Sequence, residues 1–81
     1  MENTDGSKTM DKKSVGANIE RLRLQNRMTQ IELAQLLSVS NKTISKWETG
    51  GGFPDVTFFP ELARIFGVSI DYLMTGESRE D

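Results

Sequence analysis

Residues 29–50, TQIELAQLLSVSNKTISKWETG, decide the fold. Two short amphipathic helical patterns lie within them. The first carries Leu33, Ala34 and Leu37 on one side, and the second carries Ile44 and Trp47, three apart, on one side. Helices this short cannot each bury a core, so they must pack against one another and against a shared neighbour. The small Ala34 permits a close crossing where a larger side chain would push the helices apart.

The ends of the pair are marked by hydrogen-bonding residues. Thr29 with Glu32 three residues on forms a capping-box pattern, each side chain serving the other residue's amide. Ser40 is the expected N-cap of the second helix. Past it, the side turned from the core shows Asn41, Lys42, Thr43, Ser45 and Lys46. Amides, hydroxyls and ammonium groups at the start of a helix suit the major groove of duplex DNA, where base edges offer donors and acceptors, and helix N-termini also favour phosphate. Taken singly, such polar residues are usually a solvated face. Trp47 invites a base-stacking role, but an aromatic one turn after Ile44 reads as core.

The spacing TQxxLAxxLxVSxxxISxWExG resembles the phage repressor and Cro-type (xenobiotic-response-element-like) helix-turn-helix transcriptional regulators. The resemblance runs over residues 15–76, because PDVTFFPELARIFGVSIDYLMTG resembles the fourth and fifth helices of those domains. It implies an all-α, five-helix, lambda-repressor-like DNA-binding domain acting as a homodimer on a two-fold operator. In that family the second helix starts on a Gln that helps fix the backbone, and the third reads bases from its first residues and from one a turn later. Carried over, this nominates Gln30, Asn41, Lys42, Thr43 and Lys46, to which Ser40, Ser45 and Thr49 are added as DNA-binding candidates. Thr49 leads into a glycine-rich stretch where backbone amides in the family lie along the sugar-phosphate strand.

The resemblance also sets Arg23 of the first helix against Glu48 as a mostly buried ion pair, which joins Ala34, Ile44 and Trp47 as structural residues. Dimer contacts are implied near the start of the fourth helix and on the fifth, where Phe58, Phe59, Ile70 and Tyr72 fall. Three of these are aromatic, more than so small a core obviously needs, and an exposed apolar patch marks a partner surface. Ser38 departs from the family pattern, which usually has Gly there. A left-handed conformation at Ser38 would cost roughly 1 to 2 kcal/mol.

Composition excludes several function classes. Eighty-one residues allow one small domain, and the absence of cysteine and histidine removes disulfides, thiolate nucleophiles, imidazole bases and soft metal sites. Neither an enzyme, a cofactor nor a metal is expected. No apolar run approaches the roughly 20 residues that span a bilayer, and MENTDGSKTMDKK lacks a signal peptide's apolar stretch. A cytoplasmic location with no membrane partner follows as the expectation. The formal charge is −2, but residues 14–76 balance Glu20, Glu32, Glu48, Asp55, Glu61 and Asp71 against Arg21, Arg23, Arg27, Lys42, Lys46 and Arg64. A neutral domain implies modest non-specific affinity, with backbone amides and polar side chains sharing the phosphate contacts.

Along the chain, residues 1–13 read as a disordered arm, 14–76 as the DNA-binding domain and 77–81 as a charged tail. Ser14 is expected to cap a first helix that buries Val15, Ile19 and Leu22 and ends near Gln25 or Asn26. GGGFPD is a loop by composition. Asp55 or Thr57 is expected to cap the fourth helix, with Pro60 in its first turn and Leu62, Ala63, Ile65 and Phe66 on its buried face. Gly67 ends that helix, Ser69 begins the fifth and Gly76 closes it. The function expected is a sequence-specific double-stranded DNA-binding regulator, a repressor. The alternative is a protein-interaction module, an antitoxin or adaptor, on the same scaffold.

Overall fold

Five α-helices and one 3-10 turn follow one another in the structure, a computed structural model that describes residues 12–76. The order is α1 (Lys12–Gln25), α2 (Gln30–Leu37), α3 (Asn41–Thr49), the 3-10 turn Val56–Phe58, α4 (Phe59–Phe66) and α5 (Ile70–Thr75). The described residues are all-helical, with no strand.

Local hydrogen bonding explains most of these boundaries. Thr29 has extended backbone, its hydroxyl accepts from the Glu32 amide at 3.0 Å, and Glu32 Oε1 accepts from the Thr29 amide at 2.9 Å, completing the capping box. Ser40 and Ser69 cap α3 and α5 in the same extended conformation, each accepting from the amide three residues on. Such a cap contributes about 1 kcal/mol. At the other end of α2, Ser38 is left-handed at φ 60°, while Val39 N–H donates to the Ala34 carbonyl at 3.0 Å. This closing bond offsets part of the strain on a residue that carries a Cβ. Arg27, between α1 and α2, is also left-handed at φ 57°, and no turn signal in the sequence marked it.

Two boundaries differ from those expected. α1 starts at Lys12, so Ser14 is a helical residue and not an N-cap, and Lys12 and Lys13 are helix rather than arm. The rest of the expected arm, 1–11, and the tail from 77 lie outside the described residues. Asp55 caps the 3-10 turn, accepting from the Thr57 amide at 3.1 Å, and α4 starts only at Phe59 with no side-chain cap. Proline in its first turn lacks an amide proton that would otherwise need a partner.

The core draws on every helix. Val15, Ile19 and Leu22 of α1 meet Leu33, Ala34 and Leu37 of α2, Ile44 and Trp47 of α3, Phe59, Leu62 and Phe66 of α4, and Leu73 of α5. Ala63 and Ile65 only half bury, at its edge. Phe59 is 2% exposed and meets Phe53 edge-on at 6.0 Å, so the surface role expected of it is corrected: it is interior. Phe59 opens α4 three and seven residues before Leu62 and Phe66 and so shares their buried face, while Phe58, half-buried, lies against Trp47 at 5.3 Å.

Helices α1 and α3 cross closely at Gly16. A Cβ there would stand 1.9 Å from the Trp47 carbonyl oxygen and 2.9 Å from its carbon, both backbone atoms that cannot turn aside. Glycine inside a helix costs roughly 0.5 to 1 kcal/mol against alanine, a loss offset here by the contact it allows. Gly16→Ala should therefore destabilise the domain by about 3 kcal/mol or more, although alanine is the better helix former. Urea unfolding of the two proteins measures the difference, and a variant as stable as the parent would contradict the close crossing.

Candidate nucleic-acid interface

Helix α3 separates into two faces. Ile44, Trp47 and Glu48 are buried, Asn41, Lys42, Lys46 and Thr49 are exposed, and Thr43 and Ser45 are half-buried between them. Residues 42, 45, 46 and 49 follow the spacing of one helical face, so the outer stripe runs the length of the helix. The Ser40 hydroxyl accepts from the Thr43 amide at 3.2 Å and lies 3.0 Å from the Thr43 hydroxyl. These two side chains are thus paired with each other. Thr49 turns its hydroxyl back onto its own helix, donating to the Ser45 carbonyl at 3.0 Å and sharing the Lys46 carbonyl at 3.3 Å. Among the described residues, Lys42 and Lys46 make no ion pair, and both are exposed, as is Asn41.

The inner face is fixed by charge. Arg23 Nε donates to Glu48 Oε2 at 2.7 Å and its Nη2 to Oε1 at 3.1 Å, a two-pronged pair in which the residues are 7% and 8% exposed. The third guanidinium nitrogen donates to the Met28 carbonyl at 2.7 Å in the α1–α2 turn. The hydrogen bond to Glu48 raises the Arg23 pKa above its ordinary value, against burial, which pushes it down. Gln30, half-buried at the start of α2, donates from Nε2 to Glu48 Oε1 at 2.9 Å. One carboxylate therefore ties together α1, α2 and α3. The second amide proton of Gln30 has no hydrogen-bond partner among the described residues.

The remaining nominated residues are spread around α4 and α5. Ile70 is 38% exposed. Tyr72 is half-buried under Arg21, whose guanidinium carbon is 5.8 Å from the ring centre and whose Nη2 is 3.4 Å from the hydroxyl. Asn18 was not singled out from sequence. Buried on α1, it donates from Nδ2 to the Leu73 carbonyl at 2.9 Å and so docks α5, and its signal is its place in the apolar stripe Val15, Asn18, Ile19, Leu22. Among the described residues, the most exposed large apolar side chains are Val56, Leu24, Ile31 and Leu36, none of which the dimer assignment included.

A helix-turn-helix family profile matches residues 19–73. The HTH-type transcriptional activator BcrR of Enterococcus faecalis is 41% identical over 59 residues, 73% of this chain and 29% of that protein. The chain thus spans less than a third of the length of that curated relative. Among solved structures, the P22 c2 repressor in complex with a synthetic operator superposes with a TM-score of 0.72 at 30% identity, over 78% of this chain and 96% of the repressor. The hydroxypropylphosphonic acid epoxidase of S. wedmorenis superposes equally well, TM-score 0.72 at 29% identity, over 83% of this chain and 35% of the enzyme.

Removal of Arg23 would strand the Glu48 carboxylate in the interior. Arg23→Ala should lower the unfolding free energy by roughly 3 to 5 kcal/mol. Gln30→Ala removes one hydrogen bond to the same carboxylate and should cost only about 1 kcal/mol. Urea denaturation of both variants tests the order, and an Arg23→Ala protein as stable as the parent would show that the pair contributes nothing.

Proposed function

The chain belongs to the phage repressor and Cro-type helix-turn-helix family, and from that premise we propose that it is a sequence-specific regulator that lays α3 in the major groove of duplex DNA. The observation that carries this reading is the contrast between the two faces of α3: a buried ion pair clamps the inner one, while Asn41, Lys42 and Lys46 stand exposed on the outer one. Asparagine pairs bidentately with adenine, and lysine donates to guanine acceptors or to phosphate. Ser40 and Thr43 order the first turn that presents these groups, Ser45 supplies a half-buried hydroxyl on the same face, and in this reading Gln30 and the amides near Thr49 meet the flanking phosphates.

The working species in this reading is a homodimer on a two-fold operator. Ile70, Tyr72 and the exposed edge of Phe58 form the contact between copies, and Phe59 supports it from the core. Two recognition helices about 34 to 36 Å apart meet successive major grooves, which sets half-site centres roughly 10 to 10.5 base pairs apart. Bound over a promoter, such a dimer excludes polymerase, so repression in the cytoplasm is the expected effect. No reaction is assigned to the domain. Its likeness to the epoxidase concerns 35% of that enzyme's chain, and a shared fold does not carry a shared activity.

Selection from a random duplex pool tests the whole reading, with recovered sites expected to be two-fold symmetric at the stated spacing. A scaffold kept only for protein contacts would recover no duplex and show no salt-dependent shift. On the recovered operator, Lys42→Ala and Lys46→Ala should each weaken binding and lower the salt slope by about 1 per half-site, with thermal unfolding unchanged. Gel-shift titration at several salt concentrations reads both quantities, and equal affinity of variants and parent would defeat the proposed orientation of α3.

A further inference from the structure

We propose that Gly51 and Gly52 are positioning residues for Lys46: the bare loop after α3 seats the aliphatic stem of the lysine and aims its ammonium along the outer face of the helix. The inference rests on the DNA-binding reading above and adds to it how one contact is prepared before DNA arrives.

Backbone conformation does not demand either glycine. Gly50 caps α3 in the left-handed region at φ 85°, and Gly67 and Gly76 are left-handed as well, but Gly51 and Gly52 are not. Their backbone would accept an ordinary L-residue. The space around them gives the other reason. A Cβ on Gly52 would stand 2.9 Å from Lys46 Cδ and 3.1 Å from its Cγ, and one on Gly51 would stand 3.3 Å from the same Cγ. Every other neighbour, including Trp47 Cδ1 at 3.7 Å, is at an ordinary contact distance. Two adjacent side chains are thus missing in the one place where the Lys46 stem lies. The helix end holds the seat in place, since Gly51 N–H donates to the Lys46 carbonyl at 2.9 Å.

An exposed lysine normally keeps many rotamers and loses them on binding. Laid over two glycines, the stem covers apolar surface while its head remains in water, so part of that ordering is complete in the free protein. Substitution of Gly52 displaces a flexible side chain and no backbone, so folding is spared and the aim of the ammonium is not.

A double-mutant cycle on the operator recovered from a duplex pool decides the matter. Gly52→Ala should weaken binding about fivefold in the parent, from the lost restriction of the lysine rotamers, and under about twofold in the Lys46→Ala background. Its thermal midpoint should not fall, because alanine at a compatible backbone position narrows the unfolded chain. In the DNA-free parent, nuclear Overhauser contacts should join the Gly52 α-protons to the Lys46 side-chain methylenes. If the parent binds its operator and Gly52→Ala loses nothing, or loses the same factor in both backgrounds, the seat is overturned while the DNA-binding reading stands. A parent that binds no duplex overturns both, even with the Overhauser contacts present.

Discussion

The buried carboxylate of Glu48 is the constraint on which the orientation of α3 depends. It stands at the C-terminal part of that helix and receives two bonds from Arg23 of α1 and one from Gln30 of α2, while Arg23 also grips the carbonyl of Met28 in the intervening turn. Ile44 and Trp47 offer apolar surface, and the attraction between apolar surfaces has no direction of its own. Hydrogen bonds in a dry interior do have direction. A buried pair of this kind adds little net stability over an apolar substitute, but it penalises every arrangement in which either charge is left alone. Its contribution is therefore to the angle at which α3 leaves the core.

A second constraint acts on distance. Gly16 brings the backbones of α1 and α3 into contact, and Asn18, two residues on, holds the last turn of α5 through the Leu73 carbonyl. Gly76 completes that junction, because a Cβ there would stand 2.9 Å from Asn18 Oδ1. Helix α1 is thus the common support. One part of it sets the depth and angle of α3, and another fixes the helix on which the proposed dimer contact is built. Positions on α1 that never approach DNA would then affect both the reading head and the spacing between two heads.

The parts of the structure that follow from local chemistry were legible in the sequence. The capping box at Thr29, the caps at Ser40 and Ser69 and the burial of Trp47 each depend on residues within a few positions of one another, whereas the left-handed turn at Ser38 was one of two forms left open, suggested by the glycine the family usually has there. The Arg23–Glu48 pair, 25 residues apart, came through only by family resemblance. What stayed hidden depends on approach between distant segments. Gly16 contributes no side chain to an apolar pattern, so periodicity passes over it. Ser14 has the chemistry of a cap but lies inside a helix that begins two residues earlier. Phe58 and Phe59 are indistinguishable by composition, and only the 3-10 turn before α4 decides that the second faces the core. Of the proposed interface, the sequence showed which residues share the outer face of α3. It could not show that the Thr49 hydroxyl folds back on its helix or that Gln30 is half committed to Glu48.

Charge balance bears on how such a domain could discriminate. With six acids against eight bases over the described residues 12–76, Lys12 and Lys13 included, and with Arg23 committed internally, only a small positive excess remains to neutralise phosphates. Non-specific affinity scales with that number and so would be weak. Weak background binding is an advantage in a genome, where the ratio of specific to non-specific affinity matters more than either alone. It also means that one copy, with Asn41, Lys42 and Lys46 as its main free donors, would hold DNA poorly. Two copies joined through α5 would make the second half-site an intramolecular encounter, raising affinity without adding charge. In the proposed dimer, pairing of copies would therefore make up for the small positive excess of a single domain.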